Sequence, residues 1–432
     1  MLSETSKGDD QLIKENLRLK SSVEELSILN DIATAIASTQ SLDQITNLIV
    51  NKCIKYLHSE QGSIQLLDEK DTVKPFHTMI RVQDDSVDNE TLRFDKQIAD
   101  TMLLNRKPLL INEFKTEEKI SLHENSVLKI RSLLSVPMII KGKMIGILTL
   151  FNKTISEGFT ESDQKLLSII AAQSANVIEN SRLFEEEKKL MQIQQEIQLS
   201  SEIQRRLLPQ EMPLIEGYDI YAINIPAKEV GGDYYDFIKI SDTKTAFALG
   251  DVSGKGLPAA MLMANLQATL RGQLLFCSCS KDCIKRANNL LQKSTDITKF
   301  ITLFFGILDT EKNTFTYCNA GHNVPVFIQP GKKLTLDKGG IILSWIQNYE
   351  YDEEEILFEK GSTLVIFSDG ITEAMNEADE QYGDDRLLNL IENESVLDSK
   401  QLANAILSDI KKFTKDVPQS DDITLMIIKR TM

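Results

Sequence analysis

From Asn180 to Leu208 the chain reads NSRLFEEEKKLMQIQQEIQLSSEIQRRLL, a charged and glutamine-rich run with helical patterning that Pro209 and Pro213 stop. Leu183, Leu190 and Ile197 keep a heptad spacing with Ile193 between them, whereas Ile203 and Leu207 fall slightly out of phase. A helix this polar builds no core of its own, so the apolar text on either side folds separately. The length of 432 residues agrees with two domains. The expected division is an N-terminal helix over 1–26, a domain over 27–180, a helical linker over 181–213 and a second domain over 214–432.

Leu12, Leu19 and Leu26 recur every seven residues with Val23 between them, an apolar seam that predicts pairing with a second copy of the chain. The text that follows alternates helical and strand-like patterns. Strands are expected at Gly62–Leu67, Ser135–Ile140 and Met144–Phe151, the last two joined as a hairpin through Lys141-Gly142-Lys143. Thr160 precedes Asp163 by three residues, a capping-box start to a helix whose apolar face is Leu166, Leu167, Ile170, Val177 and Ile178. Beyond Gly217, strands are expected at Phe300–Leu308, Thr314–Cys318, Thr363–Phe367 and Ile423–Ile428, with helices at Met261–Leu275 and Leu402–Phe413. The fold class is α+β, an α/β domain followed by a sheet-rich core flanked by helices.

The formal net charge of −16 argues against nucleic acid or an anionic membrane as the main partner. No apolar run reaches the length of a bilayer span, and the polar start MLSETSKGDD does not read as a signal peptide. Five cysteines without a regular framework fit a reducing, cytoplasmic setting. Cys277, Cys279 and Cys283 lack paired metal-ligand spacing and a nearby histidine, so they read as ordinary thiols.

Acidic residues stand at the ends of apolar runs throughout the second half: Asp233 in VGGDYYDF, Asp251 in ALGDVSGKG, Asp369 in VIFSDGITEA, and Asp421–Asp422 in SDDITLMII. A carboxylate at the edge of a buried strand is expensive to desolvate unless positive charge compensates it. Convergence of these sites would form an oxygen-rich cage for hard divalent cations. Of the four histidines only His322, in NAGHN, lies in the second half, so imidazole-based zinc is excluded there and Mg²⁺ or Mn²⁺ remains. His322 itself reads as a loop-fixing residue.

The ordered motifs PAKEVGGDYYDF, GDVSGKGLPAAMLMA, FITLFFGILD, YCNAGHN, FSDGITEAMN, YGDDRL and DDITLMII span about 210 residues. Together they resemble the catalytic domain of type-2C-like (PPM) metal-dependent serine/threonine phosphatases, in the bacterial branch typified by RsbU and the stage II sporulation phosphatase E. The resemblance implies a β-sandwich between helical layers and a site for two Mn²⁺ or Mg²⁺ ions. By motif position Asp233, Asp251, Asp369 and Asp421 would be both the catalytic residues and the metal ligands, with Asp251 bridging and the carbonyl of Val252 facing a metal. Counting alone leaves Asp421 and Asp422 open, and Asp421 is taken. Lys228, five residues before Asp233, stands where some relatives place a phosphate-binding Arg, but a Lys fits bidentate recognition less well and reads more readily as surface charge. The implied substrate is a phosphoserine on a STAS-type anti-sigma-factor antagonist in a partner-switching pathway.

In the first half, VPMIIKGKMIGILTLFNK and GFTESDQKLLSIIAAQSANVIENSRLF resemble a GAF sensory domain, which implies a small-molecule or protein signal. Asn152, Lys153, Phe159 and Asp163 partly match a motif of cyclic-nucleotide-binding members, but read here as fold-maintaining. After Gly339-Gly340 the text IILSWIQNYEY departs from the phosphatase pattern, with Ser344 where Gly is expected, and Trp345 reads as core packing. Gly231-Gly232-Asp233 resembles the start of the diguanylate cyclase signature. Tyr234-Tyr235 breaks it, and the later motifs have no place in a cyclase.

Overall fold

The computed structural model describes residues 42–67, 76–82, 102–113, 130–155, 158–277, 279–296 and 298–431, with Glu15, Val23 and Ser27 isolated before them. The seam residues Leu12, Leu19 and Leu26 lie outside the described residues. The chain divides into two compact units, Met1–Met191 and Gln192–Met432. Among the described residues no helix is long and apolar enough to cross a membrane.

In the first unit, helix α1 (Leu42–Leu57) leads into strands β1 (Ser59–Leu67), β2 (Phe76–Val82), β3 (Leu109–Ile111), β4 (Leu133–Ile140) and β5 (Lys143–Lys153), followed by α2 (Glu161–Leu207). The sheet order is β2-β1-β5-β4-β3. Lys141 and Gly142, at φ 49° and 83°, make the tight β4–β5 turn expected from the sequence. Ile45, Ile49 and Cys53 of α1 share one core with Leu167, Ile170 and Ile178 of α2 and with Ile64, Val136, Leu148 and Leu150 of the sheet. The capping box forms as read: Asp163 accepts from the Thr160 amide at 2.7 Å, and its own amide donates to the Thr160 hydroxyl at 3.2 Å. Lys153 pairs with Asp163, and Asn152 donates to Glu60 at 2.7 Å, so the motif residues tie strand ends to the start of α2. On the sheet face away from α1 and α2, the buried side chains of Ser59, Gln61 and Ser63 each carry an oxygen that has no hydrogen-bond partner among the described residues.

Helix α2 is continuous over 47 residues, so the boundary expected at residue 180 falls inside one helix. At 1.5 Å per residue it is about 70 Å long. Leu183, Leu190, Ile193 and Ile203 stand more than half exposed along it.

The second unit contains β6 (Tyr218–Ile225), β7 (Tyr234–Lys239), β8 (Lys244–Val252), α3 (Leu257–Leu274), α4 (Ser280–Ser294), β9 (Ile301–Asp309), β10 (Thr314–Ala320), β11 (Val326–Gln329), β12 (Lys332–Thr335), β13 (Gly339–Gly340), β14 (Glu354–Leu357) and β15 (Thr363–Phe367). After these come α5 (Asp369–Thr372), α6 (Asp384–Asn393), α7 (Ser399–Thr414) and β16 (Ile423–Arg430). One sheet runs β13-β10-β9-β8-β7 and the other β12-β11-β15-β16-β6. Phe247, Phe304 and Phe315 of the first meet Phe327, Ile366 and Met426 of the second in a common core. Helices α3 and α4 join that core through Met263, Leu266, Ile284 and Leu291, while α6 and α7 cover the other sheet through Leu387, Leu402 and Ile406. This is the sandwich between helical layers that the family resemblance implies.

A buried ion pair fastens α3 to β7. Asp236, wholly buried, accepts from Arg271 Nε at 2.7 Å and Nη2 at 2.9 Å, and from the Tyr234 hydroxyl at 2.9 Å. Removing the guanidinium strands a buried carboxylate, which destabilises strongly; the half-exposed position of Arg271 moderates the loss. Arg271→Ala is expected to destabilise the second unit by about 2–4 kcal/mol in urea unfolding. A loss below about 1 kcal/mol would contradict the role given to this pair.

Candidate active site

The two sheets deliver their carboxylates to one end of the sandwich. Asp233 immediately precedes β7, Asp251 lies at the end of β8, Asp369 opens α5 after β15, and Asp421–Asp422 immediately precede β16. Asp251 stands opposite Thr302, and Val252 opposite Ile301, in the β8–β9 ladder. The charges of Asp369, Asp421 and Asp422 all bear on Asp251, and the charge of Asp251 bears on Asp233.

The last two aspartates have different roles. Asp422 is buried and turned inward: its carboxylate accepts from the amides of Ala227 at 2.8 Å, Gly232 at 2.6 Å and Asp233 at 3.2 Å. Asp421 faces the site and pairs with Lys255 at 2.9 Å. The clamp by Asp422 explains the adjacent glycines. A Cβ on Gly231 would sit 2.2 Å from Asp422 Oδ2, and one on Gly232 would sit 2.7 Å from the Val252 carbonyl oxygen and 3.4 Å from Asp251 Oδ1. Gly370 is equally confined, its Cβ position lying 2.1 Å from the Asp422 carbonyl oxygen.

Burial and the neighbouring Asp251 charge push Asp233 well above the usual carboxylate range, against the pull of hydrogen bonds from Thr424 and Ser368. Asp251 is pushed up to about 7, by burial first and then by Asp369 and Asp421. Asp369 is raised by burial and by Asp421, with Lys255 opposing. Among the described residues no three His, Cys, Asp or Glu side chains are closed around a single metal position. The oxygens instead hold protein partners, Lys255 on Asp421 and Thr424 on Asp233.

Comparison with known proteins gives the family of each half. The Stage II sporulation protein E (SpoIIE) family matches residues 241–431, and the GAF domain family matches residues 39–179. Phosphoserine phosphatase RsbU of Bacillus subtilis is 33% identical over 254 residues, which cover 57% of this chain and 75% of RsbU. The chain belongs to the RsbU-like branch of the SpoIIE-type (PPM) phosphatases. Protein IcfG of Synechocystis is 28% identical over 265 residues, covering 54% of this chain and 41% of IcfG. The SiaA-PP2C domain of Pseudomonas aeruginosa superposes with a TM-score of 0.50 at 17% identity, covering 56% of this chain and 98% of that domain, which shows the shared fold. The protein is therefore a PP2C-type phosphatase with a GAF domain ahead of its catalytic domain.

Of the residues singled out in the sequence, His322 fixes its loop as read, whereas Trp345 departs from its reading. His322 is buried, its Nδ1 2.8 Å from the Thr302 hydroxyl and its amide donating to Asn319 Oδ1 at 2.8 Å, so it braces the strand opposite Asp251. Burial pushes its imidazole down to about 4. Trp345 is 63% exposed, so its expected core packing is not met. Its loop is held through Ser344, at φ 71°, whose amide donates to Asn288 Oδ1 at 2.8 Å. Sequence reasoning missed Gln204. At the end of α2 its amide group donates to the Gly231 carbonyl at 2.7 Å and accepts from the Gly231 amide at 3.1 Å, two residues before Asp233. The glutamine content of the linker was the only available signal.

Raised carboxylate pKa values carry a definite sign. The unfolded chain releases these protons near pH 4, the folded protein later, so stability falls as pH rises from about 4 toward 7. In buffer free of divalent ions, Asp251→Asn is expected to unfold at higher urea than the parent at pH 7.5, by on the order of 2 kcal/mol. The gap should close near pH 4. A less stable Asp251→Asn at pH 7.5 would contradict the electrostatic description.

Proposed function

We propose that this chain is a divalent-cation-dependent phosphoserine/threonine protein phosphatase, regulated through its GAF domain, whose substrate is a STAS-type anti-sigma-factor antagonist in a bacterial partner-switching pathway in the cytoplasm. The observation that carries the proposal is the convergence of Asp233, Asp251, Asp369 and Asp421 at strand ends, with Asp422 withdrawn into a backbone clamp. The name of the Bacillus relative supports phosphoserine chemistry.

The donor set fits hard cations, being composed of oxygens, and the glycine cradle brings the Val252 carbonyl into it where a Cβ would intrude. Asp233, Asp251, Asp369, Asp421 and that carbonyl would hold two Mn²⁺ or Mg²⁺ ions, Asp251 being shared. Bound there, the ions supply an acidified water as nucleophile and offset charge on the phosphoryl oxygens. The protein's own part is positional. Asp422 fixes the Gly231–Asp233 loop, and Lys255 neutralises Asp421 until a stronger cation competes for it. Lys228 and Lys255 line one narrow cleft together with Asp421 and Asp422, so the two cations there are matched by two carboxylates. His322 is engaged behind the strand, so no side chain is assigned as general acid.

Regulation is assigned to α2. Its exposed Leu183, Leu190 and Ile193 support a homodimer, which a monomer in light scattering at tens of micromolar would contradict. The oxygens of Ser59, Gln61 and Ser63, which have no partner among the described residues, support a small hydrogen-bonding ligand in the GAF unit. The Gln204–Gly231 pair supports transmission of that state to the Asp233 loop. With saturating Mn²⁺ and p-nitrophenyl phosphate, Asp251→Asn and Asp369→Asn are expected to retain less than about a tenth of parental turnover. Greater activity in either variant would remove that residue from the site. In the same assay Gln204→Ala is expected to change the full-length rate by at least about threefold, and an unchanged rate would leave α2 as a tether.

A further inference from the structure

Beside the carboxylates lies a cavity of about 390 Å³ whose side chains have no part in the chemistry described above. Gly370 and Ser420 contribute to its lining, and they are the immediate neighbours of Asp369 and Asp421. One residue of backbone therefore separates the cavity from the proposed cation site. Its remaining walls are mainly apolar: Ala374 and Met375 after α5, Leu407 and Ile410 on α7, and Ile423 at the head of β16. Exposed Lys411 stands among them on α7. The volume lies within the roughly 300–1,000 Å³ of ligand pockets, ample for one aliphatic side chain.

An apolar recess lined by the chain neighbours of two proposed cation ligands has an occupant that the reaction itself delivers. A polypeptide whose phosphorylated residue reaches Asp251 carries its neighbours across the rim, at about 3.3 Å per residue when extended. We propose that the cavity is a specificity subsite that receives an aliphatic side chain lying within a few positions of the phosphorylated residue in the protein substrate. The proposal rests on the phosphatase reading above and adds to it a preference for an apolar flank. Such a side chain exchanges water for the α7 wall, while p-nitrophenyl phosphate is too small to reach it. The subsite thus separates protein substrates from small esters.

The test uses the full chain with Mn²⁺ and three kinds of substrate: p-nitrophenyl phosphate, a phosphoserine peptide with only Gly and Ser around the phosphoserine, and the same peptide with a single Leu scanned through the four positions on each side. At least one Leu position is expected to raise kcat/KM about tenfold or more. Thr414→Trp fills the cavity from a half-buried wall position, and Leu407→Ser makes the wall polar without filling it. Both are expected to abolish the Leu advantage while p-nitrophenyl phosphate turnover stays within about twofold of the parent. Equal kcat/KM for all peptides in the parent overturns the subsite, as does a Leu advantage that survives both variants. Parallel loss of p-nitrophenyl phosphate turnover also overturns it and makes the cavity a support for the Asp421 loop. A gain in that turnover on filling overturns it in favour of a regulatory ligand pocket. A parent active on neither peptide nor p-nitrophenyl phosphate overturns the phosphatase reading, and the subsite falls with it.

Discussion

Mutual repulsion among half-buried carboxylates governs the catalytic half of this protein. Asp233, Asp251, Asp369 and Asp421 are brought to one edge of the sandwich, where burial and shared negative charge hold three of them above their ordinary pKa values. Left to themselves such groups would separate or stay protonated. They are kept together by the apolar core between the two sheets, which fixes the strand ends, and by local devices that act on the backbone. Asp422 draws in the Ala227, Gly232 and Asp233 amides, so one carboxylate stabilises the loop that carries another. Gly231, Gly232 and Gly370 permit approaches that no side chain would. Cations held among these carboxylates, as proposed, would recover the stability sacrificed to their repulsion.

The same loop is where the long helix ends. Gln204 grips Gly231 at both its amide and its carbonyl, and Gln267 donates to the Leu207 carbonyl, while Leu208 enters the catalytic core. A rotation or sliding of α2 would act on the Asp233 loop through one side chain. The α2 register is therefore where the proposed regulation would enter.

Local signals were legible in the sequence, whereas long-range partners were not. Thr363–Phe367 is a strand over the expected residues, and the Thr160–Asp163 capping box forms as read, because alternation and capping are written within a few positions. The strand-end aspartates stood out for a similar reason, Asp233, Asp251 and Asp369 each marked by an adjacent glycine. By contrast Asp236 shares a motif with Asp233, yet its role depends on Arg271, which lies 35 residues away. The distinction between Asp421 and Asp422 rests on amides nearly two hundred residues earlier in the chain. Trp345 was read inward on hydrophobicity, but its loop is held at the surface by Asn288 of α4. The cavity beside Asp369 is built from three separated segments and has no signature in any of them.

The central claim is that these carboxylates form one divalent-cation site. Anomalous diffraction from crystals of the protein soaked in Mn²⁺ tests it most directly, because it locates the ions without reference to activity. The account predicts two manganese peaks that share Asp251, with Asp233, Asp369, Asp421 and the Val252 carbonyl as the remaining protein ligands. Crystals whose manganese peaks lie elsewhere, or whose Asp251 carboxylate keeps only protein partners at saturating Mn²⁺, would contradict it.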